Sequence, residues 1–234
     1  MKLGIMQPYF MPYIGYWQLM NAVDKYVVYD DVNYIKGGWI NRNRILVNGE
    51  AKYYNLQMEG ASPNKLINEV KVNQQKVIIK KSLRILEGAY KKAPYFNELY
   101  NILETVLCYP SSNLAEFLMH SFLVVNGYLG INTELILSSS IKKNNNLRGQ
   151  NKVIHICQCL NADQYINAIG GKELYSFGEF KKKDIELFFL ETPNIKYDQF
   201  KNQFIENLSI IDILAFNPKN KIRTFLNKYT LLGA

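Results

Sequence analysis

Apolar and polar positions divide the chain into alternating short strands and helices. Residues 2–6 (KLGIM) are a brief apolar run that predicts a buried strand, and YIGYWQLMNAV then repeats apolar residues at three- and four-residue spacing, as a helix requires. KYVVYD, rich in β-branched and aromatic residues, predicts a second strand. A strand–loop–helix–strand opening is how parallel α/β sheets begin. Further on, Asn48-Gly49 sits between two β-rich runs in ILVNGEAKYYNLQM, the pattern of a tight type I′ hairpin near residues 44–56.

From residue 73 to about 130 the period becomes helical. QQKVIIKKSLRILEGAYKK, PYFNELYNILETVLCY and SSNLAEFLMHSFLVVNGYLG all space apolar residues by three and four; the last opens on a capping Ser-Ser-Asn and ends at a glycine. TELILSSS returns to strand character, IKKNNNLRG is a polar loop, and NKVIHICQCLNA is helical. DQYINAIGGKELY predicts a strand with a glycine turn, IELFFLETP another strand, and NLSIIDILAFNPKNKIRTFLNKY closing helices. No repeat or low-complexity linker divides the chain. The expectation is a single α/β domain over residues 1–234, with a Rossmann-like parallel sheet and a mainly helical insertion at 73–130.

Composition narrows the function classes. With 48% hydrophobic and 21% charged residues, the chain has the balance of a globular protein with a core. No apolar run reaches the roughly 18 to 20 residues of a membrane span. MKLGIM is too short for the apolar part of a signal peptide, and prolines and tyrosines follow it at once. The expected compartment is the cytoplasm. Cys108, Cys157 and Cys159 make no disulfide framework. His120 and His155, the only histidines, both sit in helical patterns, which argues against a histidine metal site or a Ser-His-Asp triad. No metal site is expected, and no cofactor is named by the sequence. The net charge of +8 comes from scattered lysines rather than a basic stripe interleaved with stacking aromatics, so nucleic acid is not the expected partner. A positive field would still gather a small anionic substrate.

Two segments carry more chemistry than packing explains. QPYFMPYIGYW (residues 7–17) leaves the first strand at the carboxyl edge of the sheet, where α/β folds bind ligands. Its two prolines fix a shape, Gly15 permits close backbone approach, and Gln7, Tyr9, Tyr13 and Tyr16 can place hydrogen-bonding tips around a flat ligand. Trp17 and Phe10 are expected to pack the core. DDVNYIKGGWINRN leaves the second strand and should approach the first loop. It supplies Asp30, Asp31, Asn33, Lys36, Trp39, Asn41, Arg42 and Asn43. Because strand side chains alternate, one of the two acids should face the ligand edge, where it could act as a base, hold an amine or ribose, or bind a metal; base or amine anchor is the role expected of it. Arg42 offers a planar fork for phosphate or carboxylate, and Lys36 a point charge.

The stretch MQPYFMPYIGYWQLMNAVDKYVVYDDVNYIKGGWINRNRI resembles the opening of the WbqC-like protein family. The resemblance continues through KAPYF (92–96), SSS (138–140), GGKELY (170–175) and the segment from Tyr197 to Asp212. It implies a role in bacterial surface-polysaccharide (O-antigen) biosynthesis, in which transfer of glycine onto a sugar has been suggested for some members. On that basis the expected ligand is a nucleotide-linked amino sugar, and the expected reaction is aminoacyl (glycyl-type) or related acyl transfer. A shorter stretch resembles the HIGH-motif nucleotidyltransferases. There F-D-P-x-[HT]-x-G-H opens the first helix; here Phe10-Met11-Pro12 and Gly15-Tyr16 stand one residue closer together, with tyrosines in place of the histidines. Ser138 and Ser139 would correspond to that superfamily's serine-bearing phosphate loop. The alternatives are therefore an ATP-dependent ligase or nucleotidyltransferase, and a non-catalytic ligand-binding subunit. The helical middle either closes over the site or forms the face of a homodimer.

Overall fold

Lys2–Met6 (β1) runs through the centre of the sheet in a computed structural model that describes residues 1–201 and 203–233. The chain continues through α1 (Ile14–Asn21), β2 (Lys25–Val28), the hairpin β3 (Arg42–Val47) and β4 (Glu50–Asn55), and a two-residue ladder of β5 (Met58–Glu59) with β6 (Lys71–Val72). Three helices follow: α2 (Lys76–Tyr90), α3 (Phe96–Leu107) and α4 (Leu114–Leu129). The chain then re-enters the sheet as β7 (Glu134–Leu137), α5 (Gly149–Cys159), β8 (Gln164–Ala168), α6 (Phe177–Lys181) and β9 (Glu186–Glu191). It closes with α7 (Ile210–Phe216), α8 (Lys219–Leu226) and β10 (Thr230–Leu232).

The six-stranded sheet has the order β10-β9-β8-β1-β2-β7. Every neighbouring pair is parallel except β10 with β9. This is a Rossmann-like α/β fold, as the sequence pattern predicts. β10, only three residues long, carries too little pattern to be read in advance.

Strand side chains alternate across the sheet, and the two faces gather separate cores. Leu3, Ile5, Val27 and Phe189 join residues of α5 and α6 on one side. Tyr26, Val28, Ile166 and Leu190 join α1, α4, α7 and α8 on the other. Burial on both faces explains why these strands read as continuous apolar runs. The hairpin forms at the expected place: Asn48 and Gly49 have φ of 53° and 81°, both positive as a type I′ turn demands. At α4, the Asn113 side chain accepts from the Ala115 and Glu116 amides, and Gly130 stops the helix at φ 77°.

This strand order fixes where a ligand can bind. From β1 the chain moves outward to β2 and then β7, and later returns to the other side of β1 as β8 and then β9. The loops leaving β1 and β8 therefore diverge, and the crevice between them lies at the carboxyl edge of the sheet.

Candidate functional site

A cavity of about 760 Å³ fills that crevice. Ile5 and Met6 of β1 line it together with Gln7, Tyr9, Pro12 and Tyr13 from the loop that follows. Tyr29 and Val32 line it after β2, Trp39 and Arg44 at the hairpin, and Asn167, Gly170, Gly171 and Tyr175 after β8. Half of these groups are aromatic or amide-bearing, suited to a flat, polar, neutral surface such as a base or a sugar ring. Burial pushes the phenols of Tyr9, Tyr13, Tyr29 and Tyr175 above their ordinary range. At neutral pH they are hydrogen-bond donors, not bases.

The loop from Gln7 to Tyr13 is held rigid by backbone contacts. Phe10 N donates to the carbonyls of Trp39 and Ile40, while Asn43 Nδ2 donates to those of Phe10 and Met11. Ser209 Oγ donates to the Met11 carbonyl at 2.6 Å, and Trp17 Nε1 to that of Pro12 at 3.0 Å. Met11 adopts φ 42°, a left-handed conformation unusual outside glycine, directly before a proline. The prolines and aromatics of this segment thus build a fixed wall: Phe10 and Trp17 are fully buried, as expected, and Tyr9 and Tyr13 remain at the cavity.

Arg44 supplies the charge. Its Nη2 donates to the carbonyls of Asn207 at 3.2 Å and Glu206 at 3.5 Å, while its buried Nε has no partner among the described residues. Among the described residues it forms no ion pair with a carboxylate. A guanidinium held by carbonyls and left without a counter-charge is suited to bind an anion.

A profile of the WbqC-like protein family matches residues 7–224, from the first residue of the rigid loop into α8. The chain belongs to the WbqC-like protein family. It is also 26% identical over 217 residues to the uncharacterized protein Rv1507c of Mycobacterium tuberculosis (strain ATCC 25618 / H37Rv), covering 91% of this chain and 92% of that protein. No solved structure matches the chain.

In this WbqC-like protein the residues nominated from sequence fall into two groups. Gln7, Tyr9, Tyr13, Tyr16, Trp39 and Asn43 line the cavity. Two of these are committed elsewhere: the Tyr16 hydroxyl donates to the Gln7 carbonyl at 2.8 Å, and the Asn43 amide anchors the loop. The others do not line it. Asn33 donates to the Pro63 carbonyl at 2.7 Å, and Asn41 accepts from the Tyr34 hydroxyl at 2.7 Å. Lys36 is exposed. Arg42 folds back on the carbonyls of Gly37 and Gly38, its guanidinium 4.3 Å from the centre of the Tyr53 ring.

The adjacent acids are engaged with protein partners. Asp30 is buried and accepts from the Ser139 amide at 2.9 Å, the Ser139 hydroxyl at 2.6 Å and Asn68 Nδ2 at 3.3 Å. Asp31 pairs with Lys143 at 2.9 Å and Lys152 at 3.1 Å. Burial works to raise the Asp31 pKa, but the lysines outweigh it and hold the carboxyl below its ordinary range. Ser138 is buried, its carbonyl accepting from Lys143. As they stand, Asp30 and Asp31 position the turn after β2 against the β7 and α5 loops.

Sequence reasoning missed Arg44, Tyr29 and the Asn167–Tyr175 segment. Period-two spacing puts Arg42 and Arg44 on one face of β3, and nothing local says which of them turns back onto the glycines. The glycines at 170 and 171 were the readable sign of a ligand loop after β8.

Proposed function

We propose that this protein binds a nucleotide-linked amino sugar in the crevice between β1 and β8 and transfers an aminoacyl (glycyl-type) group onto the sugar amine, as a step of surface-polysaccharide biosynthesis. The observation that carries the reading is the cavity itself, which joins aromatic and amide walls to Arg44, a guanidinium without an ion pair among the described residues, at the switch point of a Rossmann-like sheet. Its volume falls within the roughly 300 to 1,000 Å³ of small-molecule sites. Family membership supports the pathway.

In this reading Tyr9, Tyr29 and Trp39 hold the flat parts of the ligand, Gln7 and Asn167 orient it, and Arg44 takes an anionic oxygen. Attack forms the N–C bond to the acyl carbon and breaks the bond to the activating group, which leaves with its electron pair. The proton of the attacking amine passes to the leaving group or to water. The walls accelerate this mainly by alignment, which converts an encounter of two molecules into a step within one complex.

The test is incubation of the protein with UDP- or dTDP-linked amino sugars and an aminoacyl thioester or adenylate, followed by mass spectrometry. The expected result is a sugar nucleotide heavier by one aminoacyl residue, formed faster than without protein and lost in Arg44→Ala. Unaltered sugar nucleotides with every donor, despite measurable binding, would overturn the transfer step.

A further inference from the structure

Lys143 and Lys152 are both buried, with side chains 1% and 4% exposed, and both ammonium groups converge on one oxygen of Asp31, Oδ2. Lys143 also donates to the Ser138 carbonyl, and Lys152 to the Asp31 carbonyl at 3.2 Å. An ammonium has three N–H groups, so each lysine keeps one that no described residue accepts. Asp30, the neighbouring carboxylate, is turned to Ser139 and Asn68 and forms no ion pair with either lysine.

Two buried cations sharing one carboxylate oxygen are a poor way to stabilise a fold. Desolvation of each ion is costly, and the second lysine gains only part of one partner's attraction while repelling the first. The arrangement makes sense when a further anion completes it. Its surroundings fit that purpose. Lys152 Nζ lies 5.2 Å from the centre of the Tyr29 ring, and Tyr29 is a wall of the ligand cavity. Lys152 belongs to α5, an eleven-residue helix whose capping residue, Arg148, is exposed.

We infer that Lys143 and Lys152 form an anion position beside Tyr29 that takes a phosphate group of the ligand, with Asp31 holding the lysines in place until it arrives. This names the part of the site that would recognise the diphosphate of a nucleotide-linked sugar, and to that extent it rests on the proposed function. Asp31 then tempers anion affinity and is not the general base.

Inorganic pyrophosphate is the direct probe, titrated by calorimetry into the full chain and into Lys152→Met, Asp31→Asn and, as a charge control, the exposed Lys183→Met. The inference expects binding by the wild type, tenfold or more weaker binding in Lys152→Met with no loss of melting temperature, and no change in Lys183→Met. Asp31→Asn should bind severalfold tighter, a result that a purely structural ion pair would not give. If Lys152→Met fails to fold, Asp31→Asn alone decides. Absence of pyrophosphate binding, or weaker binding in Asp31→Asn, overturns the inference. A parallel titration with UDP- and dTDP-linked amino sugars separates the two readings. Sugar nucleotides that bind wild type and Lys152→Met equally would remove the anion position and leave the proposed function. Pyrophosphate binding that obeys the variants, without any sugar-nucleotide binding, would do the reverse.

Discussion

Asn43 donates its amide to the carbonyls of Phe10 and Met11, at 3.2 and 3.1 Å, and so fastens the first strand of the hairpin to the loop that leaves β1. The contact spans more than thirty residues of chain, is buried, and holds a methionine in the left-handed region. This amide acts with Ser209 Oγ, Trp17 Nε1 and the Phe10 amide to fix the wall of the cavity.

Removing it should be expensive. Asn43→Ala leaves the buried Phe10 carbonyl without its side-chain donor, while the Met11 carbonyl keeps the bond from Ser209 Oγ; a buried group left unsatisfied costs about 1–3 kcal/mol. A stability loss of roughly 1–3 kcal/mol in urea titration is expected on that scale. A loss under about 0.5 kcal/mol, the range of neutral surface changes, would mean the loop is held by its other contacts.

Gly15 sets a second constraint. Gly15 is the second residue of α1, and an alanine gains over glycine at most the roughly 1 kcal/mol seen in a helix interior. Here a Cβ would lie 2.6 Å from the Tyr13 ring and closer still to the Thr192 hydroxyl, which donates to Gln18 at 2.7 Å. Overpacking of this kind costs about 1–3 kcal/mol and outweighs the propensity gain. Gly15→Ala should therefore lower the melting temperature and disturb Tyr13 at the cavity; an unchanged or higher melting temperature would show that the ring gives way freely.

Asp212 predicts a pH dependence. It is buried, and burial pushes its carboxyl up to about 6 against the hydrogen bonds donated by Tyr197, Gln199 and Tyr90. A carboxyl whose pKa is higher folded than unfolded favours the fold most at low pH, where it is protonated in both states. That advantage fades as pH rises from about 4 through about 6. At 1.36 kcal/mol per pKa unit the effect is on the order of 3 kcal/mol. Chemical denaturation across this window should give the wild type a downward slope with rising pH, relative to Asp212→Asn. Parallel profiles would show that the carboxyl titrates normally.

The fold was largely legible because its signals are local. The apolar runs of β1, β2 and β9, the Asn48-Gly49 turn and the Gly130 stop each reside in a few consecutive residues. The site was only half legible. Tyr9 and Trp39 could be nominated from loop composition, but the residues to which Asn43 donates, and those that donate to the Asp30 and Asp31 carboxylates, lie 32 to 121 residues away. Lys143 and Lys152, read as parts of a polar loop and a helix, gain meaning only when the sheet brings both to Asp31. Likewise, Arg42 was nominated as the planar fork for an anion, and only the folded chain shows its guanidinium turned onto Gly37 and Gly38.

Arg44 is where the account is most exposed. Calorimetric titration of UDP- and dTDP-linked amino sugars into wild type and Arg44→Ala tests it directly. A hydrogen bond from a charged group contributes about 1.5–3 kcal/mol, and 1.4 kcal/mol is a factor of ten in affinity. At least one of these ligands should bind the wild type and bind Arg44→Ala at least tenfold more weakly, with both proteins equally folded. No binding by the wild type, or equal affinity in the variant, would contradict it.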